Sequence, residues 1–146
     1  MTKSNRYRNA VFIVVYRKKK NKILYLLLKR KLHWVGWEFP KGGVKDKEPI
    51  VKTINREIKE ETGQKPISIK KYPVSGRYKY ERGLADRKSF IGQTYRLYSA
   101  ELKREKVRLD KKEHSAHKWS NFNQALKLIT YPSQRKCLRA VNKKLN

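Results

Sequence analysis

Two apolar runs near the N-terminus constrain the fold most. Residues 10–16 (Ala-Val-Phe-Ile-Val-Val-Tyr) and 23–28 (Ile-Leu-Tyr-Leu-Leu-Leu) are rich in strand-forming residues, and the basic segment 17–22 separates them. This pattern predicts a β-hairpin with a basic tip. Because nearly every position in both runs is apolar, we expect strands covered on both faces, as in a sheet that lies between helices.

A helix is predicted after the aromatic, Pro- and Gly-containing segment 33–44, which is itself typical of a loop with short extended pieces. Pro49 suits the first helical position, and Gly63 suits a left-handed residue that ends the helix. The apolar positions at helical spacing are Val51, Ile54 and Ile58.

The second half of the chain adds strands near 67–75, 90–101 and 117–119, and helices over 122–129 and from Ser133. A polar loop is predicted from Tyr78 to Lys88, and Ser120 or Asn121 is expected to cap the first of these helices. Strands interspersed with helices, without an internal repeat or a low-complexity linker, predict one α/β domain over residues 1–146.

Composition makes this a folded and very basic chain. Its 146 residues suit one domain, 38% of them are hydrophobic, and the formal net charge is +27. Such a charge favours a polyanionic partner such as a nucleotide polyphosphate, RNA, DNA or an anionic membrane surface, although a lysine-rich solvated surface would give the same number.

Membrane and extracellular functions are disfavoured. The longest apolar run, residues 10–16, is far shorter than the ~20 residues that a membrane span needs. The N-terminal residues show no secretory cleavage pattern, and a single cysteine, Cys137, excludes an internal disulfide or a multi-cysteine zinc site. We therefore expect a cytoplasmic protein.

The few acidic residues are the most informative ones. Of twelve Asp and Glu, half lie between residues 38 and 61. On the predicted helix, Glu57, Glu60 and Glu61 share one face, where three like charges repel each other. A solvated face with basic neighbours is one interpretation, and a site for a hard divalent cation such as Mg²⁺ or Mn²⁺ is the other.

The segment before the helix supports the second interpretation. Gly42 and Gly43 lie there, and Lys41 is beside them. Glycine lets the backbone approach a phosphate closely, and lysine offers it a positive charge. The segment therefore predicts phosphate binding next to the carboxylates.

The spacing of these residues closely resembles the Nudix box, G-x5-E-x7-R-E-U-x-E-E-x-G-U, in which U is apolar. The matching residues are Gly42, Glu48 and the run Arg56-Glu57-Ile58-Lys59-Glu60-Glu61-Thr62-Gly63. The one departure is Gln64, at the last apolar position, which puts local packing in question. The resemblance implies the family's αβα sandwich with a mixed central sheet.

The resemblance also implies a metal-dependent hydrolase that cleaves a nucleoside diphosphate linked to another moiety by attack of water on phosphorus. Its implied metal ligands are Glu57, Glu60, Glu61 and, from outside the box, Glu113. The implied catalytic residues are Glu57, Glu60, Arg56 and Glu113. Arg56 would orient the carboxylates, Glu48 would be its partner or an outer ligand, and Gly42 would form the turn into the helix. For Glu113, a loop acid among lysines is the alternative.

Within that family the chain is most similar to the asymmetrical diadenosine tetraphosphate hydrolases. The segments that carry the likeness include Trp37-Glu38-Phe39-Pro40-Lys41-Gly42 and Glu113-His114. Such enzymes commonly stack adenine between two aromatic rings, which implies Tyr131 with Tyr78 or Tyr80, although packing roles suit these tyrosines equally. Lys41 and Gly42 are implied to contact the phosphates, and we expect packing or hydrogen-bonding roles for His33 and His114.

The predicted function is therefore Mg²⁺-dependent, or Mn²⁺-dependent, hydrolysis of diadenosine tetraphosphate to ATP and AMP by a monomer. The alternative is an RNA 5′ pyrophosphohydrolase or decapping enzyme, whose box entry is similar and whose RNA backbone the positive charge could follow. A non-catalytic RNA-binding module is disfavoured, because the clustered glutamates are costly without a metal.

Overall fold

The computed structural model describes residues 6–80 and 90–146. The strands are β1 Tyr7–Lys19, β2 Lys22–Arg30, β3 Gly36–Glu38, β4 Lys41–Gly43, β5 Ser68–Lys79, β6 Gly92–Glu101 and β7 His114–Ser120. The helices are α1 Ile50–Thr62, α2 Phe122–Leu128 and α3 Pro132–Leu145.

All these strands belong to one mixed sheet. Its main order is β3-β2-β1-β6-β5, while β4 pairs with β1 and β7 pairs with β2. The β1 and β6 strands run parallel, and the other pairs are antiparallel. The sheet thus places β4 and β7, which flank the candidate site, beside the two central apolar strands.

Helices cover both faces of the sheet, which confirms the predicted α/β sandwich. One core joins alternate β1 residues such as Phe12 and Val14 to α2 and α3 through Ala125 and Leu138. The other core joins the intervening β1 residues, such as Ile13, to the apolar stripe of α1. Period-2 alternation therefore buries the two faces of one strand in different cores, as the continuous apolar runs require.

Several predicted boundaries need correction. The strands of the hairpin extend into its basic segment and leave only a two-residue turn, in which Lys20 has φ 56°. Pro49 is the residue before α1 rather than its first residue, because its ψ of 144° is extended. Val51 does not continue the apolar stripe and is 55% exposed.

The end of α1 and its polar departure from the box pattern are well accommodated. Gly63 has φ 78° and donates its N–H to Lys59 O, as expected for a left-handed cap. Gln64 is buried, and its side-chain amide donates to the carbonyls of Arg104 and Lys106 at 2.9 and 2.7 Å. A polar residue fits there because it satisfies two backbone acceptors of the segment after β6.

The C-terminal half differs from prediction mainly at its boundaries. Tyr78 lies in β5 rather than in the predicted loop, whose residues 81–88 lie outside the described part. Strand β7 begins at His114, and α3 begins at Pro132. Asn121 caps α2 by accepting the N–H of Gln124 at 2.9 Å. Among the described residues, no helix is long and apolar enough to cross a membrane.

Candidate active site

Helix α1 presents the acidic residues at different depths. Ile54 and Ile58 anchor the helix in the core, and this fixes the direction in which the glutamates point. Glu57 and Glu61, one turn apart, are buried, whereas the side chain of Glu60 is 52% exposed. The three carboxylates predicted on one face are therefore not equivalent.

Gly42 makes room for Glu57. It lies in β4, opposite Val11 of β1, and a Cβ at this position would collide with the Glu57 carboxyl group. The expected role as the turn into the helix was wrong, because residues 44–49 separate β4 from α1. Gly42 instead lets a buried carboxylate lie against the backbone of the strand.

Arg56 fixes one side of the acidic cluster. Its guanidinium donates to both Glu48 oxygens at 3.0 and 2.9 Å, to Glu57 Oε1 at 2.7 Å and to Gly43 O at 2.9 Å. Hydrogen bonds from Arg56 and Thr53 lower the pKa of Glu48 to about 2. The chain thus places Glu48 as the partner of Arg56, and Arg56 orients Glu57.

The pKa values of the two buried glutamates of α1 rise, because the negative charge on each is poorly compensated. Burial raises the pKa of Glu57 to about 7, an effect that Arg56 partly opposes and Glu60 and Glu113 reinforce. Burial, followed by the charges of Glu57, Glu38 and Glu113, raises the pKa of Glu61 well above its ordinary value. At neutral pH these groups need protons or a cation.

The loop before β7 completes this cluster. Glu61, Glu113 and His114 each bring one potential ligand atom within 4.8 Å of the others. The Oε2 atom of Glu61 is buried and has no hydrogen-bond partner among the described residues. Clustered carboxylate oxygens of this kind suit a hard divalent cation. The residues present therefore fit the metal that the sequence implied. Glu61 and Glu113 bring ligand atoms together, the charge of Glu57 acts on Glu61, and the exposed Glu60 acts on Glu57.

A second buried network, which the sequence reasoning missed, lies beside this cluster. Glu38 of β3 accepts hydrogen bonds from Arg30 Nη1 at 3.1 Å and from His114 Nε2 at 2.9 Å. Burial would raise its pKa, but the charge of Lys41, the His114 hydrogen bond and Arg30 outweigh burial and lower it to about 2. The sequence signal that could have indicated this network is Glu38 itself, a single acid between Trp37 and Phe39.

Lys41 belongs to that network. Its Nζ lies 3.4 Å from Glu38 Oε1, and only 9% of its side chain is exposed. The ammonium group also lies 6.0 Å from the centroid of the Trp34 ring. Lys41 was predicted to contact a phosphate. In this structure its ammonium group already neutralises the buried carboxylate of Glu38.

The predicted aromatic residues fall into two groups. The rings of Tyr131 and Trp34 meet edge to face, with centroids 4.8 Å apart. Tyr78 and Tyr80 meet each other at 6.2 Å, and both hydroxyl groups hydrogen-bond to Gln93. Trp34 was not among the predicted site residues, because its loop position carries no periodic signal.

A basic pocket adjoins the acidic cluster. It has a volume of about 790 Å³ and lies between the start of β1 and the start of α1. Its cationic lining residues are Arg6, Arg8, Lys45, Lys47, Arg56 and Arg96, and its acidic ones are Asp46, Glu48 and Glu57. The pocket therefore offers cations to an anionic group next to a buried glutamate.

Comparison with known proteins agrees with this geometry. The model of the NUDIX domain matches residues 6–141. The chain belongs to the Nudix family. As a Nudix hydrolase it is a nucleotide pyrophosphohydrolase, and Nudix enzymes use divalent metals. The predicted family and enzyme class are therefore confirmed.

Similar Nudix proteins carry several names. An 8-oxo-dGTP diphosphatase of Buchnera aphidicola is 32% identical over 130 residues, covering 88% of this chain and 87% of that protein. An RNA pyrophosphohydrolase of Nitratiruptor is 32% identical over 112 residues, covering 74% and 72%. The structure of a Caenorhabditis elegans Ap4A hydrolase binary complex matches with a TM-score of 0.75 and 26% identity, covering 94% of this chain and 97% of that one.

Proposed function

We propose that this Nudix hydrolase cleaves a dinucleoside tetraphosphate, with diadenosine tetraphosphate (Ap4A) giving ATP and AMP. The observation that carries the proposal is that Glu57 belongs both to the carboxylate cluster and to the wall of the basic pocket. A polyphosphate bound in that pocket would lie beside the groups able to hold a metal. Long, highly charged phosphate chains suit several cationic side chains.

The chain's own residues supply positioning and charge. Arg56 holds the Glu57 carboxylate in place, and Gly42 lets that carboxylate approach the strand. A divalent cation held by Glu57, Glu61 and Glu113, with the exposed Glu60 as a further ligand, would polarise phosphoryl oxygens and assist the attack of water. We assign to Glu113, the less buried member, acceptance of the proton from the attacking water.

The pair of Trp34 and Tyr131 supports a nucleoside end on the substrate. Stacking of a base on aromatic side chains is worth about 1–3 kcal/mol per base. A ring that inserts beside Tyr131 would approach Lys41 as well, because Lys41 lies near Trp34. We therefore propose Trp34, rather than Tyr78 or Tyr80, as the aromatic partner of Tyr131. The C. elegans Ap4A hydrolase match favours the same substrate class.

An RNA 5′ pyrophosphohydrolase is the second candidate. The relative named RNA pyrophosphohydrolase and the net charge of +27 favour it. Both reactions would use the same carboxylates. The two substrates differ in the part of the molecule that extends beyond the attacked phosphates. An RNA substrate would continue along basic surface, whereas Ap4A would end in a second adenosine.

Substrate competition tests the choice. The purified protein with Mg²⁺ or Mn²⁺ is offered Ap4A, 5′-triphosphorylated RNA and 8-oxo-dGTP, and kcat/KM is measured for each. Glu60→Gln probes the cluster at its exposed member, and Glu105→Gln is the matched control at an exposed glutamate. Reaction in ¹⁸O-labelled water shows which phosphorus receives the water oxygen.

We expect the highest kcat/KM with Ap4A, label in one product only, and loss of turnover in Glu60→Gln but not in Glu105→Gln. Turnover of RNA alone would replace the first candidate with the second. Equal activity of both variants would refute a role for Glu60 in the metal site.

A further inference from the structure

His114 lies where a nitrogen ligand would lie. It is the first residue of β7 and its side chain is fully buried. One of its ring nitrogens is within 4.8 Å of carboxylate oxygens of both Glu61 and Glu113. Its position follows from the sheet, because β7 pairs with β2 and sets His114 opposite Arg30.

Glu38 determines which nitrogen is available. Its Oε2 atom is 2.9 Å from His114 Nε2 and also accepts from Arg30 Nη1 at 3.1 Å. A carboxylate between cations accepts hydrogen bonds, so the proton of this contact belongs to Nε2. A neutral ring with its proton on Nε2 carries its lone pair on Nδ1. That atom is buried and has no hydrogen-bond partner among the described residues.

We propose that His114 Nδ1 is a ligand of the divalent cation held by Glu61 and Glu113, and that Glu38 orients the ring for this role. The inference rests on the metal-dependent function proposed above. Histidine ligands commonly donate their second N–H to a carboxylate, which fixes the tautomer and the ring orientation. The Glu38–His114 contact has this form.

A nitrogen ligand changes the metal preference of the site. Carboxylates alone suit Mg²⁺, whereas imidazole favours metals later in the first transition row. We therefore expect Mn²⁺ and Co²⁺ to bind more tightly than Mg²⁺. The ratio of their affinities to that of Mg²⁺ should be larger than at a site made only of glutamates.

Pulsed electron paramagnetic resonance of bound Mn²⁺ tests the ligand directly. Untagged protein is labelled with ¹⁵N in histidine only, and the chain has three histidines. In the double variant His33→Asn/His117→Gln, His114 is the only histidine left. Asn suits position 33 because φ there is 75° and Asn tolerates the left-handed region.

We expect a ¹⁵N coupling from a directly bound nitrogen in the wild-type protein and in the double variant. Bound Mn²⁺ without that coupling would overturn the inference and leave the proposed function intact. The absence of any bound Mn²⁺ would overturn both.

Metal affinities provide a second measurement. Glu38→Gln should weaken Mn²⁺ binding by roughly 10–100-fold, the usual range for a group that orients a ligand. His114→Gln, checked for folding by circular dichroism, should weaken Mn²⁺ binding by a larger factor than Mg²⁺ binding. Equal factors for the two ions would contradict ligation by His114 and indicate a structural role.

Discussion

Two glutamates with almost no exposure, Glu38 in β3 and Glu61 in α1, respond to burial in opposite ways. The pKa of Glu38 falls to about 2, because Lys41, His114 and Arg30 together outweigh its burial. The pKa of Glu61 rises well above its ordinary value, because burial is reinforced by neighbouring carboxylates. The protein itself supplies the positive counter-charge at Glu38. At Glu61 a bound cation or a proton has to supply it.

His114 joins these two regions. Its Nε2 contacts Glu38, and one of its ring nitrogens approaches Glu61 and Glu113. The neutralised network around Glu38 therefore borders the cluster that lacks a counter-charge. A buried acid whose charge is already matched needs no further partner, whereas one whose charge is unmatched provides a place for a cation.

The largest expected effect is on stability, from Glu38→Gln. Removing this charge leaves Arg30 and Lys41 buried without their carboxylate, and breaking a buried pair costs about 3–5 kcal/mol. Urea denaturation without metal should show that loss in the free energy of unfolding. The exposed control, Glu105→Gln, should change it by less than about 0.5 kcal/mol. An equally small change for Glu38→Gln would show that the network does not stabilise the fold.

The second effect, from Glu61→Gln, should separate activity from stability. Turnover should fall by roughly 10²-fold or more, since metal polarisation is worth several kcal/mol. The free energy of unfolding of the metal-free protein should stay the same or rise, because a buried acid among acids becomes neutral. Kinetics and urea denaturation of the same preparations test both. A Glu61→Gln variant that is destabilised but still active would contradict this assignment, because Glu61 would then serve the fold rather than the metal.

The third expectation concerns pH. Glu57 has a folded pKa of about 7 against an ordinary 4.5. Between these values the folded protein binds more protons than the unfolded chain, so the stability of the metal-free protein should fall as pH rises from about 4.5 to 7. Glu38 acts oppositely, because its stabilisation is present above pH 4.5 and is lost as pH falls towards about 2.

Saturating Mg²⁺ should flatten the decline between pH 4.5 and 7, because a cation replaces the protons on the cluster. Thermal unfolding at several pH values, with and without Mg²⁺, measures this. An identical slope in both conditions would place the metal away from Glu57.

The smallest effect is expected outside both carboxylate regions. Tyr131→Ala should raise KM for Ap4A by the equivalent of about 1–3 kcal/mol through lost base stacking. Tyr131→Phe, the matched control, should keep the ring and nearly all of the affinity. The pH dependence of stability should not change in either variant. A loss of stability with KM unchanged would indicate that Tyr131 only packs against Trp34.

The spacing of box residues predicted much of the site because one helix carries most of it. Helical geometry places Glu57 and Glu61 one turn apart, and Gly63 ends the helix at a φ of 78°, which favours glycine. The spacing could not predict how deeply each glutamate is buried. Glu60 and Glu61 are adjacent in sequence, yet the first is half exposed and the second is enclosed.

Contacts between residues that are far apart in the sequence could not be predicted from it. Glu38 and His114 are 76 positions apart and meet only because β3 and β7 both pair with β2. Trp34 meets Tyr131 through loops whose conformation no periodicity sets. The hairpin and the covering of the sheet on both faces could be predicted, since the continuous burial of residues 10–16 in β1 follows from their unbroken apolar run.

Proton release on metal binding tests the central claim most directly. Calorimetric titration of Mg²⁺ or Mn²⁺ at pH 6, in two buffers with different ionisation enthalpies, counts the protons. If the cation binds the carboxylates with raised pKa values, roughly one or more protons should leave per ion, and fewer from Glu61→Gln. Equal heats in both buffers would mean that no proton leaves, and would contradict metal binding at Glu57 and Glu61.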